Sequence, residues 1–227
     1  MLAIIPARGG SKTLPRKNVL PMMGVPLIAH SIRAALGARH ITEVVVSTDD
    51  PEIAEVARTA GASVPFMRPS ELAGDSSMAM DAYLYTIEKL QTLNPGKDYS
   101  KFVVLLPTSP LRTSADIDAA IELFDARDAD SVVSYAEQPH PIQWSTRIDP
   151  AGRFVDLRND LKNRQDYETY YYPVGAVYVF RLELLKQRKY YAQNSFAYII
   201  PKSRAVEIDT LEDFMYAEVL MKLQQQV

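Results

Sequence analysis

Apolar positions fall along this chain in two alternating rhythms. The run LAIIPA (2–7) is short, apolar and rich in β-branched residues. Pro6, with Gly9 and Gly10 beyond it, ends the run, so it reads as a buried strand. In PLIAHSIRAALGA (26–38), Leu27, Ile28, Ile32, Ala35 and Leu36 recur at helical spacing, with Gly37 as a stop. ITEVVVSTDD (41–50) predicts a second strand. PEIAEVARTAG (51–61) predicts a second helix, with Pro51 in its first turn and Gly61 past its end. KFVVLLPTSP (101–110) predicts a strand, SADIDAAIELFDA (114–126) a helix with Ser114 as candidate N-cap, and DSVVSYAE (130–137) another strand. VGAVYVF (174–180), FAYIIP (196–201) and AVEID (205–209) follow as strands, then LEDFMYAEVLMKL (211–223) as a helix. This alternation predicts an α/β fold, a mostly parallel sheet with helices on both faces.

The rhythm fades between about 138 and 170. That stretch holds Pro139, Pro141, the single tryptophan Trp144, Gly152 and many charges, and is too long for an ordinary connection. It reads as an inserted arm with a role in oligomerisation. No repeat or linker divides residues 1–227, so one domain with an embellishment is expected.

Composition narrows the function classes. Apolar and charged fractions of 47% and 23% are those of a globular protein. A net charge of −3 gives no general attraction to nucleic acid or an anionic membrane, so any anion recognition must be local. Without cysteine there is no disulfide, thiolate zinc site or cysteine nucleophile. No apolar run reaches a membrane span, and no signal-peptide pattern opens the chain; a cytoplasmic protein is the expectation.

Against that acidic background Arg8, Lys12, Arg16 and Lys17 crowd into ten residues beyond the first strand, the end at which parallel sheets bind ligands. Gly9 and Gly10 would let backbone N–H groups approach an anion, and the cations would neutralise phosphates. The other reading is a solvated charge run. The spacing matches neither a Walker A loop nor G-x-G-x-x-G. In AVEIDTLEDF, a strand would put Glu207 and Asp209 on one face with Ile208 on the other. Such a pair suits Mg²⁺, although Asp209 could equally cap the next helix. Arg112 in LLPTSPLRT and Arg68 in MRPSELAGDSS are further candidates for substrate contact. His30, His40 and His140 read as structural or surface residues.

Taken together, IIPARGGSKTLPRKN, VVVSTDD, RPSELAGD, LLPTSPLRT, GAVYVF and VEIDTLEDF resemble, in that order, the CMP-sialic acid synthetases (acylneuraminate cytidylyltransferases). The resemblance runs from residue 3 to about 216. It implies a Rossmann-like nucleotidyltransferase fold and Mg²⁺-dependent (Mn²⁺ also) transfer of CMP from CTP to a nine-carbon nonulosonic acid. It further implies that Arg8, Lys12 and Lys17 hold the triphosphate, with Arg8 and Lys17 catalytic. By the same resemblance Asn18 and Arg68 contact the cytidine, Arg164 and Tyr178 the sugar, and Glu207 and Asp209 the metal. The 138–170 arm falls where family members exchange an element to form a homodimer. Arg16 has no matched role.

Four positions depart from the family pattern. Thr13 replaces a glycine, Leu106 a glutamine, Val174 an asparagine and Glu207 an aspartate. Losing the amides at Leu106 and Val174 points to an acceptor other than N-acetylneuraminate, such as legionaminate. Two other readings remain: a sugar nucleotidyltransferase with a Kdo-like acceptor, and a silent nucleotide-binding protein of the same fold.

Overall fold

The computed structural model describes residues 1–74, 77–156 and 159–224. Asp75 of the RPSELAGD motif and positions 157–158 of the inserted segment fall outside that range. Its elements, in chain order, begin with β1 (Leu2–Pro6), the two-strand ribbon β2 (Pro21–Met22) and β3 (Val25–Pro26), α1 (Leu27–Leu36), β4 (Glu43–Ser47) and α2 (Pro51–Thr59). α3 (Ala79–Leu93), β5 (Lys101–Val104), α4 (Ser114–Ala126) and β6 (Ser131–Glu137) make the middle. β7 (Tyr171–Arg181), α5 (Leu182–Lys186), β8 (Ser195–Ile199) and α6 (Leu211–Gln224) complete the order.

Six strands form one sheet in the order β4-β1-β5-β7-β6-β8. β1 pairs parallel with β4 and β5, and β6 with β8, while β7 runs antiparallel to both its neighbours. The expected mostly parallel sheet is therefore present. Side-chain alternation splits each strand between two cores. On one face Ala3, Ile5, Val44, Val46 and Val103 meet Ile28 and Ile32 of α1, Ile53 of α2, and Ile117 and Phe124 of α4. On the other Leu2, Ile4, Val45, Phe102 and Val104 meet Met80, Tyr83, Ile87 and Leu90 of α3 and Leu184 and Leu185 of α5. A third cluster seats α6, through Phe214, Ala217 and Met221, on Leu14, Met22, Leu27, Leu111 and Ile208.

Several details differ from the sequence reading. α3 lies in a stretch to which the sequence pattern assigned no element; Met80, Tyr83, Ile87 and Leu90 carry its helical spacing. The cap of α4 is Thr113 rather than Ser114. Thr113 accepts from the Asp116 N–H and Asp116 returns the bond in a capping box, while Ser114 Oγ donates to the Ala34 carbonyl. AVEID is not a strand. It has no regular secondary structure and is tied by the Ile208 N–H to the Thr108 carbonyl at 2.8 Å. Segment 138–170 holds 3₁₀ turns at Ile142–Trp144 and Arg164–Asp166 and one bridge between Ile148 and Phe154, with Trp144, Ile148 and Phe154 exposed. Among the described residues no helix is long and apolar enough to cross a membrane.

The reciprocal cap gives a first expectation. Thr113→Ala should cost about 1 kcal/mol in urea denaturation, the usual worth of an N-cap hydroxyl.

Candidate active site

The carboxyl ends of β1, β4 and β5 lie side by side; the chain leaves β1 for β4 on one side and then passes back over β1 to β5 on the other. Such a switch point opens a crevice between the loops. The loop after β1 is fastened by the loop after β4. The Ala7 N–H donates to the Ser47 carbonyl, and the Gly9 N–H to Asp49 Oδ1 at 3.1 Å. A Cβ on Gly9 would stand 2.5 Å from Asp50 Oδ2, so the glycine is needed for close approach of the two loops. Its N–H is spent on Asp49, not offered to a ligand as the sequence suggested. Gly10 has open space around it.

Arg16 now has a place. Its backbone is left-handed, at φ 58°, and starts the 3₁₀ turn Lys17–Val19. Its guanidinium clasps Asp50 and Glu52, and Asp50 also caps α2. The guanidinium holds the Asp50 carboxyl below its ordinary range. Arg68 is buried beside the same loop: its N–H donates to the Thr48 carbonyl and its guanidinium lies 3.7 Å from Asp49. Burial pulls the Arg68 pKa down, and the Asp49 charge opposes that pull. The two aspartates of STDD thus organise both sides of the cleft.

Lys17 reaches across the chain. Its ammonium donates to the Ile208 carbonyl at 2.6 Å and to Asp209 Oδ1 at 3.0 Å. The lysine side chain is 9% exposed and the aspartate 75%, so the pair sits where the cleft opens to water. Asn18 Nδ2 donates to the Arg8 carbonyl, which leaves its amide oxygen for a ligand. Asp209 does not cap α6; Thr210 and Asp213 do so reciprocally. Ile208 faces the core, as alternation required.

Glu207 turns the other way from Ile208 and accepts the Gly175 N–H on Oε1 at 2.6 Å. Burial pushes its carboxyl up from the ordinary range, against the pull of that N–H, and the Asp209 charge adds to the rise. Gly175 lies where two steps along β6 match five along β7, between the Val133–Tyr178 and Tyr135–Pro173 pairs. Ser134 Oγ bridges this bulge, donating to the Val174 carbonyl and accepting from the Val177 N–H. A Cβ on Gly175 would lie 2.5 Å from both Glu207 Oε1 and Leu106 Cδ1. Tyr178 stacks on Phe180, with ring centroids 5.9 Å apart, and burial pushes its phenol up to about 12.

Two adjoining cavities result. One, of about 380 Å³, is lined by Arg8, Lys12, Thr13, Lys17, Asn18, Leu106 and Asp209 among others. The second, of about 320 Å³, is lined by Arg8, Arg68, Ser77, Tyr83 and Leu106. Arg8 and Leu106 belong to both. The fold thus brings together Arg8, Lys12, Lys17, Asn18, Arg68 and Asp209, with Glu207 and Tyr178 electrostatically coupled beside them. Arg164 is elsewhere: it lines a separate cavity at the base of the inserted segment, 3.7 Å from Glu137. Sequence reading gave Asp49, Asp50 and Gly175 no role of their own; the doublet of aspartates straight after a strand was the available signal.

This fold and cation-lined crevice define a nucleotidyltransferase-type α/β enzyme. The family model described as cytidylyltransferase matches residues 2–226, and the chain belongs to that family. It is 33% identical over 225 residues to a pseudaminic acid cytidylyltransferase of Campylobacter jejuni, covering 98% of this chain and 96% of that one. It is 35% identical to a CMP-N,N'-diacetyllegionaminic acid synthase of Legionella pneumophila over 100% of this chain and 98% of the relative. An N-acylneuraminate cytidylyltransferase of Streptococcus agalactiae is 36% identical over 95% of this chain, which spans only 52% of that relative's length. Among solved structures, a CMP:2-keto-3-deoxy-manno-octonic acid synthetase complexed with CTP aligns with a TM-score of 0.73 at 18% identity, covering 98% of each chain. The family resemblance read from the motifs is borne out.

The two loop glycines should behave differently. Gly9→Ala, which drives a methyl into Asp50, should weaken CTP binding severalfold in calorimetric titration, whereas Gly10→Ala should bind as the parent does.

Proposed function

We propose that this enzyme transfers CMP from CTP to the anomeric 2-hydroxyl of a nonulosonic acid and releases pyrophosphate. The observation that carries the residue assignment is the Lys17–Asp209 pair, which joins residues 192 positions apart at the cleft mouth. Arg8 and Lys12 would neutralise the triphosphate beside it, Arg as a fork and Lys as a point charge. Two of the three Lys17 donors are used within the protein. The third, with no acceptor among the described residues, is suited to an α-phosphate oxygen or the leaving pyrophosphate. Charge grows at that position during in-line displacement, so a preorganised ammonium acts there on the transition state. Arg68, from the smaller cavity, and the Asn18 amide oxygen, from the larger one beside it, would read the cytosine and ribose.

Glu207 and Asp209 each keep one carboxylate oxygen without a protein hydrogen bond among the described residues. Two such hard-oxygen donors fit Mg²⁺ or Mn²⁺, which takes few protein carboxylates and completes its shell with phosphate and water. When bound, the ion would screen the phosphate charge. No cluster of three metal-binding side chains occurs among the described residues, so water and phosphate would complete the shell of an ion held there.

On the acceptor side Tyr178 and Leu106 offer one hydroxyl amid apolar surface. The relatives' names, pseudaminic, legionaminic and N-acylneuraminic, support a nonulosonic acid as the class. Leu106 favours an acceptor with a deoxy or methyl group at that wall. A sugar-binding role for Arg164 calls for a homodimer in which the inserted segment reaches the partner's cleft; its exposed Trp144, Ile148 and Phe154 support that use. A reaction fed by CTP points to the cytoplasm, with no nucleic acid or membrane as partner.

Pyrophosphate release should appear with CTP plus legionaminate or pseudaminate, less with N-acetylneuraminate and least with Kdo. Silence with every acid would sink the reading. Lys17→Ala should lower kcat by about 10²–10³-fold, the loss typical of a transition-state donor, with a smaller change in CTP affinity. Chelator or Asp209→Ala should abolish turnover; full activity in excess chelator would remove the metal from the scheme.

A further inference from the structure

Arg112 is the most buried cation among the described residues, 3% exposed, and the transfer chemistry above leaves it unused. It follows β5 in the loop that forms the cleft floor. No carboxylate lies within ion-pair distance of it among the described residues. Its Nη2 donates to the carbonyls of Leu106 and Gly175, the latter at 3.5 Å. Its Nε and Nη1 are buried and make no hydrogen bond among the described residues.

Stability does not account for this charge. If the guanidinium were removed, neither carbonyl would be left bare. The Leu106 oxygen would keep the Ser109 N–H at 3.3 Å and the Ser31 hydroxyl at 3.4 Å, and the Gly175 oxygen would keep the Leu106 N–H at 3.2 Å. A buried charge with unmatched donors is costly, and an apolar chain of similar length is commonly as stable or more so. The loop residue Leu106 and the bulge residue Gly175 meet only because Gly175 has no side chain. Arg112 grips both, and the Gly175 N–H in turn grips Glu207. The Arg112 charge also attracts Glu207 through the intervening protein.

We propose that Arg112 is a positioning residue: it pins the Leu106 and Gly175 carbonyls and so holds the Glu207 carboxylate where the nucleotide's metal would meet it. This rests on the reading of Glu207 given above. Groups that orient a ligand carboxylate from behind commonly change metal affinity or activity by about 10–100-fold when lost.

The test uses Arg112→Met and Arg112→Lys in the full chain, with three readouts. Arg112→Met should match or exceed the parent in Tm. Its kcat should fall about 10–100-fold, with KM for CTP changed less than about threefold because the phosphate-binding cations are untouched. In the metal-free, nucleotide-free enzyme, its Gly175 amide should exchange hydrogen about tenfold faster or more, while the Val103 and Val179 amides keep the parent's protection. Arg112→Lys, which retains the charge and some donors, should recover part of both kcat and Gly175 protection. Parent-like kcat together with parent-like Gly175 exchange in Arg112→Met would overturn the proposal. So would a lowered Tm with faster exchange throughout β5 and β7, which would mark a role in folding alone. Should the parent release no pyrophosphate with any acid, the functional reading fails by itself. The Gly175 exchange, read without substrate or metal, would still decide the role of Arg112.

Discussion

Cations gathered at one end of a sheet repel one another, and the surroundings of the cleft are arranged around keeping them there. Each is held differently. Arg16 is neutralised by Asp50 and Glu52 and lines neither cavity. Arg68 has Asp49 at the longer distance of 3.7 Å, and Lys17 has one carboxylate and one carbonyl. Arg112 has carbonyls only. The supply of counter-charge thus falls from the outside of the loop to its floor. Lys17, Arg68 and Arg112 are thus held in place with fewer opposing charges than Arg16, which is the kind of preorganisation that electrostatic catalysis uses.

Much of this was legible in the sequence, for identifiable reasons. β1, β4, β5 and β6 announced themselves because strands buried on both faces are nearly continuous apolar runs. The cation-rich loop was legible because it sits directly after such a run. α3 was missed because it follows a polar loop without a capping signal; Met78 at its N-cap makes no side-chain cap. AVEID has the alternation of a strand but no neighbouring strand to pair with, and pattern alone cannot supply a partner. Local spacing also could not reveal that Gly9 serves Asp50, or that Gly175 serves Glu207. Those constraints are contacts between segments about 40 and 32 residues apart.

The family comparison sharpened what geometry left broad. The crevice identifies a place for a polyanion, and family membership makes that polyanion a cytidine nucleotide. The relatives differ in the acid their names carry, while this chain aligns with each at 33–36% identity. Pro6, Arg8 and Leu106 form the wall that the two cavities share.

The reversed strand has a further consequence. Because β7 runs against β6, the intervening segment departs and returns at the same rim of the sheet, the rim that carries the nucleotide loops. Its two ends are anchored by adjacent, hydrogen-bonded strands, so its length is uncoupled from the sheet. Among the described residues, none of the buried apolar core comes from it. The fold therefore separates a fixed half, which carries the cation-lined cleft, from a peripheral segment that is free to vary at little risk to folding.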